Sequence, residues 1–313
     1  MSRIIKIAAA QVGQIHRGTQ KEEVVTRLIR LLNDAGNANV QLVVFPECIL
    51  MTFFPRSDIT QSQYVKQLFD ESRSKKIDIV LGYAERTTDG IGYNTCVSFS
   101  ANEGKVISKY RKVHLPDTKD PFVDPHAINK REKRYFTPGN LGFPAFWAPG
   151  LISGTAKMSS AQCGENTVGK GDPIFGMISG AELVMFGFNT GSNMAHLWGS
   201  KPMSSKEAEQ EALFHSILEQ QSNRGVERFP GAIYMHACFS ISSARCGLDD
   251  GKYDLIGGSA IVNLESHIIA QAKTKEDELV VAVIDLAECR QGKRIEAYRL
   301  IETQTGVVEP ELM

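Results

Sequence analysis

The chain has 313 residues, 42% hydrophobic and 23% charged, enough apolar material for a sizeable core, which excludes intrinsic disorder for its body. Lys plus Arg number 35 against 36 Asp plus Glu, a formal net charge of −1, so no basic footprint points to nucleic acid or an anionic membrane. No apolar run reaches the ~18 residues of a membrane span, and Met1-Ser2-Arg3-Ile4-Ile5-Lys6-Ile7 lacks the features of a signal peptide; a cytoplasmic protein is expected.

Strands and helices then alternate. Residues 4–11 (IIKIAAAQ) are a short apolar run before Gly13 and read as a buried strand. Over 19–36, Val24, Val25, Leu28, Ile29, Leu31 and Leu32 recur at helical spacing, with Thr19 and Glu22 as a capping box and Gly36 as a stop. A second buried strand, 40–45, ends at Pro46, and a helix is predicted near 62–74. Strands follow at 77–85, 94–100 and 105–108, separated by the turn signals Asp89-Gly90 and Asn102-Glu103-Gly104. The proline-rich stretch 115–154 has little periodicity and reads as a long structured loop, the kind of segment that carries function. Alternation then resumes, with strands at 155–162, 182–188, 231–239, 259–263 and 278–284. Helices fit 172–180 and 205–224, the latter with Ser204 and Glu207 as its capping box.

The pattern is that of an α/β protein with helices outside sheet structure. Several strands are apolar throughout, as strands covered on both faces are. Periodicity does not separate one doubly wound sheet from two sheets packed face to face. The six cysteines lack C-x-x-C spacing and the seven histidines never fall as H-x-x-x-H or H-E-x-x-H, so neither a disulfide framework nor a metal site is expected.

Three positions sit where a strand ends and a loop begins. Glu47 follows Val43-Val44-Phe45-Pro46; a carboxylate held at a rigid, partly desolvated strand end is suited to act as a general base, although a solvated turn glutamate looks the same locally. Lys109-Tyr110-Arg111-Lys112-Val113-His114 leads out of a strand into the proline-rich loop. Alternation puts Tyr110 and Lys112 on one face and Arg111 and Val113 on the other, but does not say which cation points inward, and a basic edge strand is also common protection. Cys163, in Gln162-Cys163-Gly164, occupies a sharp turn after a strand, an arrangement that exposes a nucleophile beside backbone N–H groups. A thiol needs a neighbouring base to react near neutrality, and most free cysteines are simply buried.

The ordered set Phe45-Pro46-Glu47, Lys109 to Pro116, then a cysteine after a strand-like run, resembles the nitrilase superfamily of carbon–nitrogen hydrolases, and does so from Ile4 to about Leu286. Within it the chain looks most like the N-carbamoyl-D-amino-acid amidohydrolases, through Thr52-Phe53-Phe54-Pro55-Arg56, Glu132-Lys133-Arg134-Tyr135-Phe136, Pro138-Gly139, Leu141-Gly142-Phe143-Pro144, Phe188-Asn189-Thr190 and Phe214-His215. The resemblance implies a four-layer αββα sandwich, with a hydrolase domain over 1–288 and a C-terminal arm over 289–313. It implies a triad of Glu47 as base, Lys112 as catalytic lysine and Cys163 as nucleophile, with Glu132 as a second acid near the site. Asn189, Thr190 and His114 are the implied substrate-binding residues. A small-molecule substrate, no cofactor and a homodimer or homotetramer complete the expectation.

The turn after the nucleophile departs from the carbamoylase pattern. Those enzymes carry arginines there for the substrate carboxylate; this chain has Asn166 and Thr167 in Cys163-Gly164-Glu165-Asn166-Thr167, closer to the turn of some nitrilases. Lys130 stands where carbamoylases have a histidine. The alternatives are a nitrilase or simple amidase using the same triad, or a catalytically silent binding subunit.

Overall fold

The computed structural model describes residues 2–50, 59–115, 120, 132–142, 145–152, 154–162, 181–192, 204–220 and 237–290, with backbone alone for 152, 154–162 and 215–220. The first half contains β1 (Ile4–Gln11), α1 (Lys21–Asn37), β2 (Leu42–Val44), a 3-10 turn (Ile59–Gln61), α2 (Lys66–Lys75), β3 (Asp78–Arg86), β4 (Gly92–Ser100), β5 (Lys105–Arg111) and α3 (Glu132–Tyr135). Next come β6 (Ala145–Ile152), β7 (Gly154–Gln162), β8 (Leu183–Phe188) and α4 (Ser205–Gln220). The last strands are β9 (Phe239–Ala244), β10 (Cys246–Asp249), β11 (Tyr253–Ile256), β12 (Ala260–Val262), β13 (Ile268–Gln271) and β14 (Glu278–Asp285).

Two six-stranded sheets face each other, ordered β14-β1-β2-β3-β4-β5 and β13-β12-β9-β8-β7-β6. Each has three parallel central strands, β1-β2-β3 in one and β7-β8-β9 in the other, flanked by antiparallel ones. Between the sheets Ile5, Ile7, Leu42, Val44 and Val80 pack against Leu183, Met185, Phe239, Ile241 and Ile261. On the outer face of the first sheet Ala8, Ala10, Val43, Ile79 and Leu81 meet Val24, Leu28, Leu31 and Leu32 of α1 and Leu68 and Phe69 of α2. Both faces of β1 and β2 are therefore buried, which is why those strands read as unbroken apolar runs. α4 lies against β11, which pairs with β10 in a separate two-stranded sheet. With the two large sheets packed face to face and α1 and α2 outside the first, the architecture is an αββα sandwich rather than one doubly wound sheet. Among the described residues no helix is long and apolar enough to cross a membrane.

Several local expectations are corrected. Thr19 does not cap α1: its hydroxyl accepts from the His16 N–H, Gln20 takes the N-cap position without a side-chain bond, and Gly36 lies inside the helix. At α4 the expected capping box forms, the Ser204 hydroxyl donating to Glu207 at 2.7 Å and accepting from its backbone N–H at 3.3 Å. The stretch read as one long loop contains the eight-residue strand β6. That strand is an edge, holds Pro149, and shifts register between Ala148 and Ile152, the setting in which a sheet tolerates proline. β5 continues to Arg111 instead of ending at residue 108. The strand expected over 231–239 starts at Phe239, with 231–236 outside the described residues, as is the helix expected over 172–180. β10, β11 and β13 were not foreseen, each being only four residues long. Cys289, placed in the C-terminal arm, is buried with its thiol donating to the Glu182 carbonyl at 3.4 Å; 291–313 lie outside the described residues.

The start of β3 leads to a prediction. Burial pushes the Asp78 carboxyl from 3.8 up to about 6, against a single bond from the Ala101 N–H that favours its charge. The folded value lies above the unfolded one, so this group's contribution to stability is full below pH 3.8 and is lost as pH rises through about 6. Asp78→Asn, which can still accept from Ala101, should raise stability at neutral pH by about 1–3 kcal/mol and flatten its pH dependence. Urea midpoints measured across that interval decide it; parallel curves for the two proteins would count against the assignment.

Candidate active site

The first sheet delivers two of the expected site residues to one edge. β2 and β5 run in the same direction, β3 being parallel to β2 and the β3-β4 and β4-β5 pairs antiparallel, so both C-terminal ends lie at the same end of the sheet, with β3 and β4 between them. Beyond β2 the chain stays on the sheet briefly, Phe45 N–H donating to Val80 at 2.9 Å and Ile49 N–H to Gly82 at 3.1 Å. Between them Pro46 and Glu47 leave the ladder, and Cys48 turns the chain at φ 45°, a conformation uncommon for a residue with a side chain. Glu47 is 5% exposed.

Beyond β5, Lys112 is fully buried, its N–H donating to the Asn94 carbonyl at 2.8 Å. The alternation left open in the sequence is decided by where the acids are. On the outer side of β5 Lys109 and Arg111 both bind Glu85, at 2.7 Å and 2.9 Å. Burial opposes the charge on Glu85, but Arg111 and Lys109 outweigh it and bring the carboxyl down to about 2. On the inner side the Lys112 ammonium reaches Glu47 Oε1 at 2.7 Å and Glu132 Oε1 at 3.0 Å. Burial pulls the ammonium's pKa down, yet Glu132 and Glu47 together hold it above its ordinary value. Lys112 is therefore a permanent cation between two carboxylates.

Glu132 arrives on the single turn α3, which is docked by its own continuation. Thr137 N–H donates to Gly92 and Gly139 N–H to the Lys112 carbonyl, at 2.8 and 2.9 Å. A Cβ at Gly139 would overlap the Arg111 carbonyl oxygen, so the close approach needs glycine. Gly139→Ala should push the segment off β5, move Glu132 from Lys112 and lower activity by on the order of tenfold or more. Steady-state rates of the folded variant test this; an unchanged rate would separate Glu132's placement from the docking.

The second sheet meets the same edge. Gln162, the last residue of β7, pairs with Gly187 of β8. Gly187 lies so close to Glu47 that a Cβ there would collide with the Glu47 backbone nitrogen. The described backbone of β7 thus ends beside the Glu47 turn; Cys163, the next residue, is outside the described residues. Asn189, just past β8, donates from Nδ2 to the Glu47 carbonyl at 2.8 Å and accepts at Oδ1 from the Arg245 N–H at 3.3 Å. It bridges the Glu47 backbone to the second sheet. Thr190 is buried and its carbonyl accepts from Ile256; His114 is half-buried two residues past Lys112.

Glu47, Lys112 and Glu132 are thus brought together. Asn94 is a neighbour that pattern reading passed over: it is 1% exposed, and its Nδ2 lies 2.7 Å from Glu47 Oε1 and 3.3 Å from Glu132 Oε2. Its signal was an amide at an inward position of β4, in step with the core residue Cys96.

The pattern of the carbon–nitrogen hydrolase family matches residues 6–208 and 231–294. The chain is 26% identical over 308 residues to omega-amidase NIT2 of Homo sapiens, covering 95% of each. It is 23% identical over 299 residues to citrullinase of Francisella tularensis, covering 92% of each. A shorter match to nitrilase homolog 2 of Dictyostelium discoideum, 31% identical, spans 41% of this chain and 39% of that protein. Among solved structures the fold is shared with a carbon–nitrogen hydrolase of Helicobacter pylori, TM-score 0.70 at 18% identity over 96% of each chain. It is also shared with a mutant of the amidase from Nesterenkonia sp. AN1 that carries the acetamide moiety of fluoroacetamide on its active-site cysteine, TM-score 0.62 at 17% identity, over 94% of this chain and 95% of that one. With the family pattern spanning most of the chain, the protein belongs to the carbon–nitrogen hydrolases of the nitrilase superfamily.

Proposed function

We propose that the protein releases ammonia from a small amide or ureido group, with Cys163 as nucleophile, Glu47 as the proton carrier and Lys112 as the cation facing the developing oxyanion. The observation that supports this most is the fully buried Lys112 ammonium, held by Glu47 and Glu132 beside the strand end from which Cys163 follows. A buried charge held this way is costly and has to be paired; a scaffold subunit has no use for it.

In the proposed reaction Glu47 takes the thiol proton as Sγ bonds to the carbonyl carbon and the π pair moves to oxygen. Lys112 and a backbone N–H stabilise that oxygen. The C–N bond then breaks, its electron pair leaving with nitrogen, which takes the proton from Glu47 and departs as ammonia. Water attacks the remaining thioester and passes a proton to Glu47; expulsion of the thiolate, which regains that proton, frees the acid. Glu132 keeps Lys112 in place throughout.

For the substrate we favour an N-carbamoyl amino acid or a close amide relative. The segment from Glu132 to Pro144 supports the carbamoyl reading, and citrulline, the compound in the name of one full-length relative, is itself a ureido amino acid. Without arginines at 166 and 167, carboxylate binding should be weaker by about 1–3 kcal/mol. Of the cations available to replace them, Arg134 is exposed on α3, and Lys130 and Lys170 lie outside the described residues. The test is kcat/KM for an N-carbamoyl-D-amino acid against its neutral carboxamide analogue and a nitrile of the same size. A preference for the neutral amide would transfer the assignment to a simple amidase, and faster nitrile turnover to a nitrilase.

A further inference from the structure

We infer that Asn94 is a positioning residue for this reaction: its amide joins Glu47 and Glu132 into one unit around Lys112, and the Cys48 thiol fixes which way that amide points. The inference rests on the reading of Glu47 as the base. Asn94 sits on β4 opposite Ala84 of β3, and its carbonyl receives the Lys112 N–H, so the residue is tied to the catalytic lysine through the backbone before its side chain is considered.

The side chain makes three bonds to two separate pieces of chain, the Glu47-Cys48 turn and the Glu132 segment. Nδ2 donates to Glu47 Oε1 at 2.7 Å and lies 3.3 Å from Glu132 Oε2, while Oδ1 accepts from the Cys48 thiol at 3.2 Å. Two carboxylates sharing one ammonium leave a net negative charge in a buried place, and like charges there repel. The two amide hydrogens of Asn94 answer that excess without adding a charge. Turning the amide over would place Oδ1 against both carboxylates and leave the thiol sulfur, a weak acceptor, facing an NH2 group, so the observed orientation is the favoured one. Cys48 can act as a donor only while protonated. Burial first, then the charges of Glu47 and Glu132, push its thiol well above the usual range, while Lys112 and Arg245 pull the other way. Cys48 is thus a second cysteine near the site whose part is to donate a hydrogen bond, not to attack.

The test follows the alkylation rate of Cys163 by iodoacetamide from about pH 5 to about pH 9, alongside ammonia release, in proteins checked for folding by circular dichroism. In the parent the acid limb of the alkylation profile reports ionisation of the base. Asn94→Ala removes the donors that favour the charged carboxylate, so the limb should move up by about half to one pH unit, with kcat lower by on the order of 10- to 100-fold and KM within about threefold. Asn94→Asp adds a third carboxylate beside Glu47 and Glu132 and should move it further in the same direction. Cys48→Ala should show a smaller loss of the same kind, and Cys48→Ser, whose hydroxyl still donates, should recover most of it. Acid limbs unchanged in folded Asn94→Ala and Asn94→Asp would overturn the inference, as would equal behaviour of Cys48→Ala and Cys48→Ser. Glu47→Gln separates the two readings: if it keeps the parent profile, Glu47 is not the base; if it loses the limb while the Asn94 variants keep theirs, the role given to Asn94 alone fails.

Discussion

Cys163→Ala should abolish ammonia release, by at least about four orders of magnitude, and leave folding intact. The thiol is the only group in the proposed reaction that forms a covalent bond with substrate, and removing a nucleophile leaves only what binding and the oxyanion donors contribute. Cys163 follows directly on β7, and Cys163→Ala removes a single heavy atom, so stability read from the denaturant midpoint should change by no more than about 1 kcal/mol. Labelling gives a second reading of the same prediction. Cys48, Cys96, Cys238, Cys246 and Cys289 are all buried, and burial with neighbouring acids pushes the Cys246 thiol up to about 12. Iodoacetamide near neutrality should therefore modify one cysteine quickly, and peptide mapping should find it at Cys163. Turnover retained in a folded Cys163→Ala protein, or first modification elsewhere, would remove Cys163 from the mechanism.

Lys112→Met should cost both activity and stability, unlike the change at Cys163. Loss of the cation facing the oxyanion is worth on the order of 10²–10³ in rate. It also removes the ammonium shared by the buried Glu47 and the partly buried Glu132, and breaking a buried ion pair from one side costs about 3–5 kcal/mol. Adding Glu132→Gln removes one of the two carboxylate charges left behind, so the double variant should regain part of the stability and none of the activity. Lys109→Ala is the contrast: its partner Glu85 keeps Arg111, and Lys109 itself is 29% exposed, so the loss should stay near the 0–1 kcal/mol of a surface pair. Urea unfolding and steady-state rates on the three proteins suffice. An inactive Lys109→Ala beside an active Lys112→Met would assign the wrong lysine to the inner face.

The residues themselves determined the elements that carry long apolar patterns. β1, α1, β3, β4 and β14 are legible because burial on one or both faces imposes a period on every position. Glu47 and Lys112 were legible as strand-end residues, because the backbone there is where a sheet can present a side chain to a ligand; Cys163, read in the same way, lies outside the described residues. What the chain order does not contain is distance between segments. The choice of Lys112 over Lys109 was made by the placement of Glu85 on β3, a residue 27 positions before Lys112, which takes both outward cations. Asn94 shows the same limit: in sequence it opens a strand, and only the β3-β4-β5 pairing sets its amide between Glu47 and Glu132. Short strands such as β10 and β11 carry too few residues for a period to show, and β6 is hidden by Pro149, which only an irregular edge accommodates. Local pattern therefore decides which residues are buried and where strands end, whereas charge pairing across the sheet decides which of two neighbouring lysines enters the site.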